Sequence, residues 1–504
     1  MKKIFAALLS LMLVSCSFPQ LTPTPVLESL TPVADVDPMS IPWEDRSIFE
    51  RGLVQSQRSI LSELPGASVY HLEFNVADDL YHVNGHEEVH YTNTETVPLN
   101  EIELRLFPNI LGGEMEVSNI SIDNQPATPE YDLEDSLLIL PFTAPLEVGQ
   151  SAVVKMDFAV EVPQSVEQNY GVIAYFDEVL ALAHAYPMIC VYDDEGWNAE
   201  IPVQYGDVTY ADAAFFIVKV TAPAGLMLVV SGIEVNHSEA GQTQALVAAS
   251  GPARDFYLAA SPNYEELTQQ VGEITIRSYA TGDIKSGSAL ALKAAANALE
   301  DFGRRYDAEY PYTELDIVAT PTLAGGIEYP GLVVAASRLY DLGSNLKGVP
   351  EEVIMEAVIA HEVGHQWFYN LVGDDQLDDP WLDESFAQFA TLQYFEDEYG
   401  RAGAAGFRAS LEGNWQSVEG AKIPIGLSVN GYTEEEYVGI VYGRGPLFLV
   451  ALQKEMGESV FDAFMKDYTA QLSWGIATPD FMQSLAEKHC NCDLDSIFNE
   501  WVYR

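Results

Sequence analysis

A five-residue motif in the second half of the chain combines two metal-binding side chains with one that can move protons. The motif reads His361-Glu362-Val363-Gly364-His365. Residues four apart lie on one face of a helix, so both imidazoles can bind the same zinc ion. Glu362, next to the first histidine, can then act as general base on a water at the metal. The motif alone leaves one alternative, an amphipathic helix that carries two structural histidines.

The elements around this motif must return a third ligand to the metal. The sequence predicts one helix over residues 350–371 and a second over 380–399, the latter capped by Asp379. Eighteen residues separate His365 from Glu384, which lies one turn into the second helix. A helix, a tight connection and another helix can bring Glu384 back to the histidines. Two histidines and one glutamate leave the fourth zinc position open, as catalytic zinc sites require.

Residues 361–389 read HEVGHQWFYNLVGDDQLDDPWLDESFAQF and resemble the core of the gluzincin peptidases. The match is with the zinc aminopeptidase family typified by membrane alanyl aminopeptidase, and Ser385 stands where Gly is usual. The resemblance implies a zinc-dependent metallopeptidase with one Zn²⁺ per chain, held by His361, His365 and Glu384. It further implies an aminopeptidase that hydrolyses N-terminal residues from peptide substrates.

A segment upstream resembles the substrate-binding element of the same family. Gly325-Gly326-Ile327-Glu328-Tyr329 is similar to the family's Gly-Ala-Met-Glu-Asn element. The resemblance implies that Glu328 binds the free α-amine of the substrate, because a carboxylate accepts charge-assisted hydrogen bonds from an ammonium. It also implies that the extended backbone at Gly325 and Gly326 pairs with the peptide.

Three further roles are implied less directly. Tyr442 stands in a segment that resembles the family's Tyr-x-Lys-Gly, which implies a donor to the oxyanion; Tyr437 is the alternative. Gln388 is a candidate for a hydrogen bond to a zinc histidine. Relatives carry a second amine-binding Gln or Glu in the N-terminal domain, but residues 183–187 offer no match.

Two other functions remain compatible with the sequence. The chain ends at Arg504, without the long helical C-terminal domain of the large family members, so we expect a more open cleft. An open cleft would also suit a zinc endopeptidase. A non-catalytic surface binding protein could use the same fold, although the presence of every ligand and the base argues against it.

Hydrophobic patterning predicts a multidomain α+β protein. Between residues 46 and 265, short alternating runs such as 214–220 predict an antiparallel β-sandwich or saddle. From 266 to 504 helices dominate, beginning with 286–306, and a strand is predicted at 315–319. The resemblance implies that this second part is a thermolysin-like, mainly α catalytic domain with a small sheet.

The N-terminal segment predicts export. An apolar run over residues 4–14 is too short to span a bilayer and leads into Ser15-Cys16, which resembles a bacterial lipoprotein box. Residues 1–15 would then be a signal peptide and Cys16 the lipidated residue; a plain secretory signal is the alternative. The Pro- and Thr-rich stretch 16–45 predicts an extended tether. We therefore expect a protein of the bacterial cell envelope or surface, anchored in the membrane only through lipid on Cys16.

The charge balance excludes one large class of partners. The chain carries 24 Lys+Arg against 76 Asp+Glu, a formal net charge of -52. Phosphate contacts need clustered cations, so we expect no binding to nucleic acid. The same balance disfavours electrostatic adhesion to anionic lipid.

Two other clusters contain residue types that can bind metal ions, but structural roles explain both. His82, His86 and His90 lie in a predicted strand, where four residues span about 13 Å, too far for ligands of one zinc. The acidic residues within 374–379 could suggest calcium, but a solvated loop before a helix explains them.

The cysteines after Cys16 leave their pairing open. Cys190, Cys490 and Cys492 are an odd number, and export permits a disulfide. The close spacing of Cys490 and Cys492 disfavours an unstrained bridge between them.

Overall fold

The computed structural model describes residues 37–282, 285–346 and 348–504. The predicted signal peptide, Cys16 and most of the predicted tether lie outside these residues. In the described part of the chain, no helix has the length and hydrophobicity needed to cross a membrane.

The first half of the chain forms strands, as the alternating runs predict. A short helix, α1 (Ile60–Glu63), precedes them. The strands are β1 (Val69–Val76), β2 (His82–Thr92), β3 (Leu99–Arg105), β4 (Glu114–Ile122), β5 (Gln125–Pro126), β6 (Glu130–Asp132), β7 (Leu137–Leu146), β8 (Ser151–Glu161), β9 (Ile173–Phe176), β10 (Val179–Ala183), β11 (Met188–Ile189), β12 (Ala214–Pro223), β13 (Met227–Val230), β14 (Ile233–Ala240), β15 (Thr243–Ala253) and β16 (Tyr257–Ser261).

These strands form one large sheet and two smaller ones around a common core. The large sheet has the order β14-β15-β12-β1-β2-β8-β4-β5, and the smaller sheets have the orders β13-β16-β10-β9 and β11-β3-β7-β6. Leu72, Leu104, Leu182 and Val154 come from all three sheets and are buried in one cluster. The sandwich expectation is confirmed with one correction, because β1 pairs with β12 in parallel rather than antiparallel.

The second half is mainly helical around one five-stranded mixed sheet, and its last two strands form a separate two-stranded sheet. Its strands are β17 (Tyr264–Val271), β18 (Ile274–Thr281), β19 (Glu314–Thr320), β20 (Gly326–Tyr329), β21 (Leu332–Ala336), β22 (Asn345–Leu346) and β23 (Val349–Pro350). Its helices are α2 (Lys285–Tyr306), α3 (Glu351–Gly364), α4 (Glu384–Ser417), α5 (Glu434–Gly439), α6 (Gly445–Met456), α7 (Glu458–Leu472), α8 (Pro479–Cys490) and α9 (Asp495–Phe498). The sheet order is β17-β18-β19-β21-β20, so β20 lies at an edge.

The two helices that carry the predicted metal ligands are shorter at their facing ends than expected. Helix α3 ends at Gly364 rather than 371, and it could not continue to 371 because Tyr369 adopts a φ of 123°, which no helix permits. Helix α4 begins at Glu384 rather than 380, so Asp383, not Asp379, stands at its N-cap position. The predicted end of α4 near 399 is a kink at Gly400.

Two structural expectations about isolated side chains can be compared with the fold. His82 and His86 on β2 have separate partners, Asp79 at 2.8 Å and Asp157 at 2.6 Å. Contrary to expectation, Cys490 and Cys492 are joined by a disulfide, with Cα atoms 5.1 Å apart. The left-handed conformation of Asn491 between them turns the chain enough to bring the two cysteines together.

Candidate active site

Helices α3 and α4 bring the three predicted metal ligands together. The Nε2 atoms of His361 and His365 lie 3.2 Å apart. Oε2 of Glu384 lies 3.1 Å from Nε2 of His361 and 3.7 Å from Nε2 of His365. The helices can approach closely because Gly364 packs against Ala387. The i, i+4 spacing on α3 and the position of Glu384 at the start of α4 therefore focus three ligand atoms on one point.

The chemistry of these three groups fits a zinc ion. Two imidazole nitrogens and a carboxylate oxygen lie within 4.8 Å of one another. Oε2 of Glu384 is buried and has no hydrogen-bond partner in the described structure. Leaving a buried carboxylate oxygen without a partner is costly, and a divalent cation at this point would remove that cost.

Asp383 orients the second histidine. Its carboxylate contacts Nδ1 of His365, and the carbonyl of Phe368 lies 3.0 Å from the same nitrogen. Both partners are acceptors, so Nδ1 carries the proton and Nε2 keeps a lone pair for metal. Burial opposes protonation of His365, but the carboxylates of Asp383 and Glu328 raise its pKa, so a metal ion must displace a proton from Nε2 to bind there.

Gln388 is the residue that the sequence offers for a hydrogen bond to a zinc histidine. Gln388 lines the cleft and makes no hydrogen bond to His361 or His365 among the described residues. Asp383, immediately before the third ligand, was missed. Its N-cap position could not be found from the sequence, which predicts Asp379 at that position.

Glu362 points into the same cleft from α3. Its side chain is only 4% exposed, and burial raises its pKa. The carboxylate packs against the backbone of Gly326, where an added Cβ would lie 2.3 Å from Oε1. Position 326 therefore has no room for a side chain while Glu362 keeps this position.

The predicted amine-binding segment forms the edge strand of the sheet beside the metal ligands. Glu328 on β20 is buried, and its Oε1 accepts a hydrogen bond of 3.0 Å from Nε2 of Gln376. The same Nε2 donates to Oδ2 of Asp383 at 2.5 Å. The side-chain amide of Gln376 therefore links Glu328, the candidate amine anchor, to Asp383, which orients His365. Because β20 ends the sheet, the backbone at Gly325 and Gly326 can pair with an extended chain.

Asp207, from the first half of the chain, is a site residue that sequence reasoning missed. Its half-buried carboxylate faces Glu384 and lines the cleft together with Glu328. Burial and the negative charges of Glu384 and Asp383 raise its pKa. The preceding Gly206, with a φ of 84°, packs against the ring of Tyr437 where a Cβ would be crowded at 3.2 Å.

Tyr442 lies where one turn of π-helix, Ile440–Arg444, interrupts the path from α5 to α6. Its hydroxyl donates to Oε1 of Glu384. Burial raises the pKa of Tyr442, so the hydroxyl keeps its proton at neutral pH. Tyr437, the alternative candidate, packs edge-on against Tyr442 with ring centroids 5.7 Å apart and also lines the cleft.

The cleft that joins these residues has a volume of about 430 Å³. No Lys or Arg is among the described residues that line it. The histidines are therefore surrounded by carboxylates from both halves of the chain, and no fixed positive charge from Lys or Arg balances them among the described lining residues. Such a cleft favours cationic ligands.

The acidic loop before α4 is less solvated than expected. Asp374 is only 4% exposed, and neither of its carboxylate oxygens has a hydrogen-bond partner in the described structure. Burial raises the pKa of Asp375 and of Asp379 to about 7. The solvated-loop interpretation is wrong for Asp374, because its side chain is buried.

The second half of the chain resembles a known peptidase domain. Residues 290–501 match the family model described as the peptidase family M1 domain. Aminopeptidase 2 of Candida albicans is 23% identical over 478 residues, which cover 89% of this chain and 48% of the relative. The alanine/arginine aminopeptidase of Saccharomyces cerevisiae is 31% identical over 252 residues, which cover 46% of this chain and 28% of the relative. The chain thus spans half or less of the length of these M1-like relatives.

The fold also resembles solved M1 structures. An M1 zinc metallopeptidase from Deinococcus radiodurans matches with a TM-score of 0.66 and 19% identity, covering 90% of this chain and 94% of that chain. A mutant of that enzyme, bound to a Tyr-Ser-Ala substrate, matches with a TM-score of 0.65 and 19% identity and covers 90% and 95% of the two chains. The β-rich first half followed by a helical second half is therefore the architecture of these M1 structures.

Proposed function

We propose that this chain is a zinc-dependent aminopeptidase that removes N-terminal residues from peptides. The observation that supports this most directly is the link through Gln376, which joins Glu328 to Asp383 and hence to His365. This link holds a candidate amine anchor at a fixed distance from the metal ligands. A fixed distance between amine and reacting carbonyl is what restricts cleavage to the first peptide bond.

His361, His365 and Glu384 would hold one zinc ion per chain. When bound, zinc supplies a Lewis acid that polarises the scissile carbonyl and lowers the pKa of water. Matches to relatives named as aminopeptidases support the same chemistry.

The chain's own residues supply the remaining steps. The carboxylate of Glu362 takes a proton from the attacking water and returns it to the leaving amine. The hydroxyl of Tyr442 donates to the oxygen that becomes negative in the transition state. Glu328 accepts hydrogen bonds from the α-ammonium, and Asp207 supplies a second carboxylate beside it. The edge strand β20 pairs with the substrate backbone at Gly325 and Gly326.

We propose the same location as the sequence predicts. The chain would be exported to the bacterial cell envelope and held at the membrane by lipid on Cys16, with peptides as its substrates. Mass spectrometry of the N-terminus of the mature protein would test this, and an unmodified or uncleaved N-terminus would contradict it.

Exchange of Glu362→Gln tests the reaction. We expect it to retain zinc but to lower turnover of a free-amine peptide by about 10²–10⁴-fold, because the amide cannot accept the proton. Zinc content and turnover are measured on the same preparation. The control Glu351→Gln, at the start of the same helix, should turn over normally. A normal rate for Glu362→Gln would refute the proposed role.

A further inference from the structure

Two neighbouring residues of α4 are hydrogen-bonded to two neighbouring residues in the turn of π-helix that carries Tyr442. The hydroxyl of Tyr442 donates to Oε1 of Glu384, the first residue of α4. Oγ of Ser385, the second residue of α4, donates to the carbonyl oxygen of Val441 at 2.7 Å. A peptide bond joins the residues of each pair, so the four residues form a closed ring. The predicted metal ligand and the candidate oxyanion donor are therefore joined through the backbone as well as through the phenol.

The hydroxyl of Ser385 is enclosed where it makes this hydrogen bond. Ser385 is completely buried, and a Cβ added at Gly445 would clash with its Oγ. The absence of a side chain at Gly445 therefore leaves the space that the hydroxyl fills, opposite the carbonyl of Val441. The resembled family usually has Gly at position 385, so the hydrogen bond is not part of that family's motif.

The geometry of the turn explains why its backbone gains from a partner outside it. Residues Ile440–Arg444 form one turn of π-helix, in which an N–H group binds the carbonyl five residues earlier instead of four. The N–H of Gly445 accordingly donates to the carbonyl of Ile440. Such wide turns are rare and occur frequently at functional sites. A hydrogen bond from Ser385 to Val441 helps to hold the turn in this uncommon form.

The turn is also held on the other side of Tyr442 in the sequence. Arg444 is 1% exposed. Its guanidinium donates to three main-chain carbonyls, those of Ile423, Glu500 and Trp501. These contacts hold the backbone after Tyr442, and the hydrogen bond of Ser385 holds the residue before it. The backbone of Tyr442 is therefore fixed from both directions.

We propose that Ser385 is a positioning residue for Tyr442 and fixes the place from which the phenol donates to the oxyanion of the substrate. During the reaction the hydroxyl of Tyr442 must turn from Glu384 to the substrate. Rotation of the side chain achieves this turn if the backbone stays in place, and the hydrogen bond from Ser385 to Val441 keeps it there. This inference rests on the proposed function, since an oxyanion forms only if the chain cleaves peptides.

Hydrogen–deuterium exchange of the zinc-loaded full chain tests the anchoring without a substrate. Ser385→Ala removes the hydroxyl, and the amides of residues 440–444 should exchange about three- to tenfold faster, because the turn loses one hydrogen bond. The matched control is Ser136→Ala, since Ser136 is also fully buried and its hydroxyl also donates to a main-chain carbonyl, that of Leu133. This control should leave exchange at 440–444 unchanged. Unchanged exchange in Ser385→Ala would overturn the proposal, whether or not the chain is an aminopeptidase.

Steady-state kinetics on a free-amine peptide separate positioning from substrate binding. We expect Ser385→Ala to lower kcat about three- to tenfold and to leave KM within about twofold, because the hydrogen bond from Tyr442 acts in the transition state. Ser136→Ala should keep both constants. A rise in KM at unchanged kcat would give Ser385 a role in substrate binding and overturn the proposal.

Zinc affinity distinguishes Tyr442 from Glu384 as the group that Ser385 positions. Because Ser385 follows Glu384 directly, a shift of its backbone would reach the metal ligand as well. Competition with a chelator should give Ser385→Ala a zinc affinity within about twofold of that of the unchanged protein. A fall in zinc affinity by the same factor as kcat would assign Ser385 to the metal ligand and overturn the proposal.

A double-mutant cycle assigns the effect to the phenol. Tyr442→Phe should lower kcat about 10²–10³-fold, as the loss of one oxyanion donor does. In that background, Ser385→Ala should lower kcat by less than about twofold more, because no hydroxyl is left to position. The same loss in both backgrounds would show that Ser385 acts through another group and overturn the proposal. A normal rate for Tyr442→Phe would refute the role of Tyr442 and with it this inference, whereas cleavage of free-amine peptides by the unchanged protein would still stand.

Discussion

The two ends of the cleft are assembled from the chain in different ways. The metal end comes from one short stretch, residues 361–384, folded as a helix, a set of turns and the start of another helix. The amine end comes from three distant positions, Asp207, Glu328 and Gln376. Helix periodicity fixes the metal end locally, whereas the amine end depends on how a loop of the first half folds onto the second.

This difference separates the expected effects of variants at the two ends. A change at the metal end should act on zinc affinity and therefore on every substrate. A change at the amine end should leave zinc bound and act on the choice between free and blocked peptides. The hydrogen bonds of Gln376 to both Glu328 and Asp383 are the point at which the two ends meet.

The largest of the contrasting effects is expected at the metal end. Asp383→Asn should weaken zinc binding about 10–100-fold, because the amide holds the Nδ1 proton of His365 less strongly than a carboxylate does. Competition with a chelator measures the affinity. Gln388→Leu is the paired comparison and should stay within about threefold of the unchanged protein. An equal loss of zinc affinity in both variants would show that Asp383 contributes no more to zinc binding than Gln388 does.

A smaller effect is expected at the amine end. Asp207→Asn should lower kcat/KM for a free-amine peptide by about tenfold, because one carboxylate near the ammonium is lost. The rate on the N-acetylated form of the same peptide should not change, and zinc should remain bound. If both carboxylates hold one ammonium, the double variant Asp207→Asn with Glu328→Gln should lose less kcat/KM than the two single losses combined. A loss of the same size on both peptides would instead indicate a structural role.

The smallest effect concerns the acidic loop that supports both ends. The folded-state pKa of Asp375 and of Asp379 is about 7, above the ordinary value for Asp. The folded state therefore binds more protons, and the free energy of unfolding should fall as pH rises from about 4 to 7, by at most about 4 kcal/mol per carboxylate and by less where solvent screens the charge.

Urea unfolding at pH 5 and pH 8 measures this slope. Asp379→Asn should flatten it, whereas the exposed Asp78→Asn should leave it unchanged. Identical slopes in the three proteins would show that the loop carboxylates do not contribute.

The different origins of the two ends of the cleft also explain which features could be predicted from the sequence. His361, Glu362 and His365 follow from one helical period, and the pattern up to Phe389 located Glu384 through a family resemblance. Even there the ends of α3 and α4 were misplaced, because helical periodicity reveals neither the positive φ of Tyr369 nor the start of α4 at Glu384. The strands of the first half were evident from their alternation, but the parallel pairing of β1 with β12 joins residues far apart in sequence.

The place of Asp207 in the site could not be predicted in this way. Asp207 lies in a loop without periodicity, and its relation to Glu384 arises only when the two halves pack together. The burial of Asp374 could not be predicted either, because a run of aspartates ordinarily indicates a solvated surface. In both cases the tertiary fold partly or fully buries a side chain that the local composition suggests is exposed to solvent.

The most direct test of the account is the ratio of kcat/KM for a peptide with a free N-terminus to that for its N-acetylated form. If Glu328 and the metal ligands act together as proposed, the ratio should be about a hundred or more, and Glu328→Gln should reduce it at least about tenfold with zinc still bound. Equal cleavage of the two peptides by the unchanged protein would contradict the account and indicate an endopeptidase.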